Sequence, residues 1–322
     1  MTVVVIGDII TDVVAVHRDE VATGSDTAAE ITITGGGSAA NTAAWLAALG
    51  MPVTLVAVVG ADSAGTDRLA ELRATGVRCA VRRAAGASTG AIVVLSGGGD
   101  RTMLTDRGAN GLLTAADIVP ALAGTRHVHL SGYTLLDPAT RPAGLAALAR
   151  AAEQGATASV DASSAAPLRS LGGSVFLDWT PPGGLLFANV DEASALLDDP
   201  PGERPATSPA RQAAETRQAA ETRQAAETRQ AAAGSMARRL AGRTGGVAVV
   251  KCGAAGAVWA DAAGVVVAVP GQPATVLDPT GAGDAFAAAV LARWLDGDSP
   301  AECLVAGTAL GARAVSRVGA RP

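Results

Sequence analysis

The feature that most constrains this chain is an alternation that runs along its whole length. Near-continuous apolar, β-branched runs take turns with alanine- and leucine-rich stretches long enough for helices. The apolar runs are Val3–Ile6, Val53–Val59, Ala91–Leu95, His127–Ser131, Thr157–Val160, Leu185–Ala188, Val247–Lys251 and Val265–Val269. The helical stretches are Ala39–Leu49, Ser63–Thr75, Pro142–Gln154, Asp191–Leu197, Met236–Arg243, Ala285–Leu295 and Ala301–Ser316. A strand with no polar side has to be covered on both faces, and helices between successive strands supply that cover through parallel crossovers. The pattern therefore predicts the α/β class, a doubly wound, mostly parallel central sheet with helices on both faces. A length of 322 residues, 49% of them hydrophobic, suits one such domain spanning 1–322.

Two regions break the rhythm. Residues 12–34 and 87–106 carry alternating segments suited to a small separate sheet, the second as a hairpin turning at Ser96-Gly97-Gly98-Gly99-Asp100. Residues 200–233 are of low complexity. There Arg211-Gln212-Ala213-Ala214-Glu215-Thr216 recurs from Arg217 and from Arg223 and is partly continued from Arg229. A six-residue period advances about 240° around a helix, so it builds no apolar stripe and no heptad seam. The segment reads as an insertion, a solvent-exposed helical extension or a disordered stretch, without a catalytic role.

Composition removes several function classes. A net charge of −5 and 2% aromatic residues give neither a basic footprint nor stacking platforms for nucleic acid. No apolar run reaches the ~20 residues of a membrane span, and Val3–Ile6 is too short for a signal core, so a cytoplasmic protein is expected. Cys79, Cys252 and Cys303 lack metal or redox spacing, and His127 and His129 would share one strand face without nearby acids or cysteines to complete a zinc site.

The chemistry concentrates in Asp278-Pro279-Thr280-Gly281-Ala282-Gly283-Asp284. The segments Val265–Val269 and Thr275–Leu277 read as strand leading in, and Ala285–Leu295 as helix leading out. Gly281 and Gly283 let backbone approach a ligand closely, and the N–H groups from Gly281 through Ala282 and Gly283 to Asp284 face an anion at a helix N-terminus. An acid is unwelcome beside bound phosphate unless it acts, so Asp284 reads as a base aimed at an attacking hydroxyl. A plain N-cap is the competing reading. Gly35-Gly36-Gly37-Ser38-Ala39-Ala40-Asn41 precedes a helix but is not GxGxxG and has no following acid for a dinucleotide ribose. Asp8 and Asp12 follow the first strand, where open sheets bind ligands, and a carboxylate such as Asp12 can accept two hydroxyls at once. Asn189-Val190-Asp191-Glu192 joins a strand to a helix, where acids also suit the first turn. Lys251, the only lysine, precedes a turn with Gly253 and Gly256 but belongs to no GxxxxGK[ST] loop.

In this order, about 240 residues apart, the glycine motifs resemble the N- and C-terminal signatures of the ribokinase-like (PfkB) family of carbohydrate and nucleoside kinases. The resemblance covers nearly the whole chain except the repeat insertion. It implies the ribokinase-like fold, with the small sheet of residues 12–34 and 87–106 as a lid, and an ATP- and Mg2+-dependent phosphotransferase acting on a primary hydroxyl of a sugar. Asp284 would be the catalytic base, with Gly281, Ala282 and Gly283 as anion hole. Asp12, Gly36, Gly37 and Asn41 would hold the substrate, with Asp12 on two hydroxyls. Asn189 and Glu192 match an N-x-x-E motif that orders Mg2+ through water, and Gly253 and Gly256 a turn that contacts nucleotide phosphates, with Lys251 beside it. Asp278 and the segment 314–319 resemble a monovalent-cation loop, for which K+ is the candidate ion. Thr105 to Asn110 resembles a segment after the lid without an assigned role. The resemblance also implies a homodimer through the lid. A nucleoside kinase and a non-catalytic sugar-binding protein on the same fold are the alternatives, and a dinucleotide oxidoreductase is disfavoured by the missing fingerprint. Scarce aromatics tilt the substrate toward a sugar.

Overall fold

The computed structural model of the chain describes residues 2–17, 20–97, 100–199 and 215–322. Its strands are β1 (Val3–Ile6), β2 (Ile10–His17), β3 (Ala29–Gly36), β4 (Val53–Gly60), β5 (Arg78–Ala84), β6 (Gly90–Gly97), β7 (Asp100–Asp106), β8 (His127–Ser131), β9 (Thr157–Asp161), β10 (Leu185–Asn189), β11 (Val247–Lys251), β12 (Ala257–Asp261) and β13 (Val266–Val269). Among the described residues nine of them form one sheet in the order β13-β12-β11-β10-β9-β8-β1-β4-β5. It is parallel from β11 to β5, and β12 pairs antiparallel with both of its neighbours.

The period-2 geometry of a strand divides the apolar runs between two cores. Val4, Ile6, Val56, Val128, Val160, Leu186 and Val250 point to one face, against the helices Arg141–Glu153, Val190–Leu196 and the end of Glu215–Thr244. Val3, Val5, Leu55, Phe187 and Val249 point to the other, against Ser38–Ala48, Ala282–Leu295 and Pro300–Val315. Most of these side chains are fully buried, each contributing about 1.5–3 kcal/mol against the entropy of ordering the chain. His127 and His129 do share a face, as their spacing predicts. They are buried and hydrogen-bonded to Thr157 and Ser159 on β9, at 2.8 Å in each contact. Burial holds them neutral, with pKa values lowered to about 3 and about 4.

Three expectations need correction. Thr275–Leu277 is not a strand: it runs as exposed coil toward the helix Ala282–Leu295, tied down where Leu277 N–H donates to Val315 O at 2.8 Å. Strands β5 and β12 were hidden from the pattern. The arginines of β5 fit an edge strand with one solvated side, and β12 follows β11 after only a short glycine turn. The helix ahead of β11 begins long before Met236, at Glu215, so the later repeat copies continue into it. Residues 200–214, with the first copy's start, lie outside the described residues.

The smaller sheet has the order β3-β2-β6-β7, with β6 and β7 as the expected hairpin. Two residues of its turn, Gly98 and Gly99, lie outside the described residues. Register places Thr34, Asp12, Ile92 and Thr105 in one row across the four strands, and Ile33, Val13, Val93 and Leu104 in the next. Consecutive rows face opposite sides. Asp12 therefore looks one way, and an apolar row that includes the exposed Ile33 and Leu104 looks the other.

Candidate active site

Parallel strands bring their C-terminal ends to one edge, where ligands bind in open α/β sheets. Here that edge carries Asp8 after β1, Tyr133 after β8, Asp161 at the end of β9, Asn189 at the end of β10 and Lys251 at the end of β11. Above it the helix Ala282–Leu295 begins at Gly281, which has φ 74°. A side chain at 281 would also put its Cβ 2.5 Å from Ala320 O, so only glycine fits this turn.

Asp284 sits in the first turn of that helix. Ser38 Oγ donates to its Oδ1 and Asn41 Nδ2 to its Oδ2, both at 2.9 Å. Two motifs some 240 residues apart in sequence thus meet at one carboxylate. Asp284 does not hydrogen-bond its own helix N-terminus as an N-cap would, because the cap position is Gly281. Burial pushes its pKa up to about 7, opposed by the Asn41 and Ser38 hydrogen bonds and by Lys251, with Asp161 adding to the rise.

Lys251 Nζ lies 2.9 Å from Asp161 Oδ2, with both side chains largely buried. Burial alone would discharge the lysine, but the Asp161 and Glu192 carboxylates outweigh it and raise its pKa above the usual value. A Cβ at Gly283 would come within 3.3 Å of this ammonium, so the cation lies directly beneath the glycine turn. Glu192 is buried, and burial together with Asp161 pushes its pKa up to about 7 against the pull of Lys251. Asn189 and Glu192 form a reciprocal capping box: Glu192 N–H donates to Asn189 Oδ1 at 2.9 Å and Asn189 N–H to Glu192 Oε2 at 2.7 Å.

On the other side of Asp284 stands the diglycine. A Cβ at Gly36 would overlap the Asp12 carboxylate, so the missing side chain is what lets Asp12 approach the turn. Asp12 is 6% exposed, and burial raises its pKa to about 6 although Arg321 lowers it. Asp8 faces elsewhere: its two carboxylate oxygens accept from the N–H groups of Ser38 (3.2 Å) and Ala39 (3.3 Å), capping the helix Ser38–Ala48 across the turn. Asn110 also has a structural job, pairing with both the N–H and the carbonyl of Ile9 at 2.9 and 3.0 Å and so fixing the loop between Asp8 and Asp12.

Gly253 and Gly256 border an adjoining cavity of about 660 Å³, with Lys251, Gly283, Phe286 and Val315 also in its wall. Gln230, in the last partial repeat, reaches this turn and donates to Ala255 O (2.7 Å) and Val269 O (2.8 Å). Asp278 accepts from Thr280 N–H (2.9 Å) and Gly319 N–H (3.0 Å), which binds the start of the motif to the chain's last residues.

Asp161, Tyr133, Ser38 and Arg321 also belong to this constellation, and sequence reasoning missed them. Asp161 closes an apolar run and resembles a strand-end turn residue. The one local sign is structural: Ser163, two residues on, has φ 69°, and its N–H donates to Asp161 Oδ1 at 2.8 Å.

The pfkB family carbohydrate kinase model matches residues 1–322. The chain belongs to the pfkB family of carbohydrate kinases. It is 30% identical to the ATP-dependent ribose-1-phosphate kinase of Halopiger xanaduensis over 291 residues, covering 89% of this chain and 82% of that protein. Its fold matches the adenosine kinase of Sinorhizobium meliloti with a TM-score of 0.80 at 24% identity, covering 100% of this chain and 95% of the other. It also matches the structure of an E. coli protein in complex with ATP and Mg2+, with a TM-score of 0.76 at 22% identity, covering 99% and 94% of the two chains. The protein is a kinase with the ribokinase-like fold, a large mostly parallel sheet carrying a small second sheet.

Proposed function

We propose that this kinase transfers the γ-phosphoryl group of ATP to a primary hydroxyl of a sugar, with Asp284 as general base. One observation carries the reading. The Asp284 carboxylate, at the end of one glycine motif, is held by Ser38 and Asn41 of the other, close to the buried Lys251–Asp161 pair and next to Gly283 in the wall of the adjoining cavity. Phosphoryl transfer asks for positioning and charge stabilisation more than for covalent chemistry. Asp12, the Gly36–Gly37 backbone and Asn41 would orient the sugar hydroxyls. Asp284 would accept the proton of the attacking hydroxyl. The N–H groups of Gly281 to Asp284 would receive charge that builds on the phosphoryl oxygens. Gly253 and Gly256 would leave room for the nucleotide phosphates.

Mg2+ fits the acids that are present. Glu192 Oε2 is engaged by the Asn189 N–H, so Asn189 and Glu192 suit an outer-shell role through water, the mode Mg2+ favours because it dehydrates reluctantly. When bound, the ion would neutralise charge on the phosphates. Asp278 and the backbone of 314–319 would hold a monovalent cation such as K+ beside the anion hole. Pairing through the small sheet would cover the outward row of Ile33, Val13, Val93 and Leu104. The repeat segment would be an appendage to one domain.

The Halopiger relative makes ribose 1-phosphate the first candidate substrate, ahead of free sugars and nucleosides. The assay is ADP release from ATP and Mg2+ across ribose 1-phosphate, pentoses, hexoses, keto-sugar acids and nucleosides, with Asp284→Asn in parallel. Turnover with a sugar or sugar phosphate that the variant loses supports the reading. Turnover only with nucleosides moves the substrate class, and turnover that survives in Asp284→Asn removes the proposed base.

A further inference from the structure

Arg321 is a charged side chain that no motif explains. It is nine-tenths buried, at 10% exposure, and its hydrogen-bond partners Gly36, Asn41 and Glu71 belong to the substrate side of the site or border it. Its Nη2 donates to Gly36 O at 2.7 Å, its Nε to Asn41 Oδ1 at 3.2 Å, and its Nη1 reaches Glu71 Oε2 at 3.4 Å. The residues before it are equally committed. Gly319 N–H donates to Asp278, Trp45 Nε1 donates to Ala320 O at 3.0 Å, and Ala320 lies against Gly281. Residues 319–321 therefore touch both glycine motifs at once.

The geometry shows why this matters for Asp284. An amide has one acceptor end and one donor end. With the Asn41 oxygen held by a guanidinium, its NH2 has to face Asp284, which it does at 2.9 Å. If the oxygen were released, the amide could turn over and present an acceptor to the carboxylate. We propose that Arg321 is a positioning residue: it fixes the orientation of Asn41, and through Asn41 that of the Asp284 carboxylate, while its second arm pins the Gly36 carbonyl of the substrate turn. Arg321 is not placed to touch substrate itself. The side of Gly35 faces Arg321 and Glu71, whereas the side of Gly36 faces Asp12, so the arginine stands behind the turn. A lysine could not do this work, because one ammonium cannot present the fixed fork that reaches two acceptors.

The test is a double-mutant cycle read on the base itself. The kinetic arm rests on the proposed reaction, but the titration arm needs no substrate, so the two can fail separately. The protein is labelled with carboxyl-13C aspartate, and the Asp284 signal is assigned by its loss in Asp284→Asn. Asp284 is faced by Ser38 and Asn41 from the first helix, Asp161 from β9, Lys251 from β11 and Tyr133 after β8, and its midpoint is about 7. Removing a hydrogen bond to the ionised form raises that midpoint, by about one unit. We expect the rise in Asn41→Ala, the same rise in Arg321→Met, and no further rise in the double variant. With a substrate in hand, kcat should fall about tenfold in each single variant and no more in the double. Arg321→Lys retains the charge, so it should fold and yet titrate like Arg321→Met. A wild-type midpoint in Arg321→Lys or Arg321→Met, or additive shifts in the double variant, would overturn the inference.

Discussion

Lys251→Met tests the electrostatic core of the site. The ammonium is the buried counter-charge of Asp161, at 2.9 Å, and it also faces Glu192 and Asp284. Methionine keeps most of the volume and removes the charge, leaving Asp161 buried without its partner. Breaking a buried pair from one side costs about 3–5 kcal/mol, because the remaining charge stays desolvated. For a chain of 322 residues, an unfolding entropy of about 2.1 cal/mol/K per residue gives about 0.7 kcal/mol/K, so the melting temperature should drop by about 4–7 °C. Adding Asp161→Asn removes the stranded charge, and the double variant should regain at least half of that loss. Calorimetry on the four proteins of the cycle measures both terms. As Lys251 is the only lysine, 15N-lysine labelling gives a single side-chain signal that reports directly whether the ammonium is charged in the wild type. A drop below about 1 °C in Lys251→Met, or simple additivity in the double variant, would refute the claim that Lys251 is the buried counter-charge of Asp161.

Three further predictions concern the acids and the glycine turn. If Asp284 must be ionised to act, kcat should climb with pH through about 7 and level off above it. The same shifts bear on stability with a definite sign. In the folded protein Asp284 and Glu192 are both raised above their ordinary values of 3.8 and 4.5. The folded state therefore binds more protons between about pH 4 and 7, and this contribution is lost as pH rises through that window. A flatter profile of melting temperature against pH in Asp284→Asn checks it. Gly281→Ala places a Cβ 2.5 Å from Ala320 O at φ 74°. The left-handed backbone alone costs about 1–2 kcal/mol, and relief of the clash must push residues 319–321 away. The variant should lose more than tenfold in kcat and share the raised Asp284 midpoint of Arg321→Met; a wild-type midpoint would show that the turn and the C-terminal residues are not coupled.

What the sequence disclosed and what it hid divide along a physical line. Local backbone demands were legible. Gly281 and Gly36 stand where a Cβ would collide, and strands such as β1 and β4 announce themselves as near-continuous apolar runs. The meeting of distant motifs at Asp284 was also within reach, since a doubly wound sheet gathers its strand ends at one edge. Groups whose work depends on a partner brought by folding left no local trace. Asp161 ends a strand as many turn residues do, and only the parallel packing of β9, β10 and β11, which sets it level with Phe187 and Val249, brings it within reach of Lys251. Asp8 and Asp12, four residues apart, read alike in sequence, yet Asp8 spends its oxygens on a helix N-terminus while Asp12 lies against the diglycine. In the N-x-x-E pair the structural role that the residue types predict is the one on view: a capping box that occupies Glu192 Oε2, with which the proposed outer-shell contact is compatible. Arg321 is the extreme case. The neighbouring segment 314–319 suggested only a cation loop, and the meaning of Arg321 comes from the fold, which lays the last helix's exit across the first motif and lets one side chain hold Gly36 and Asn41 together.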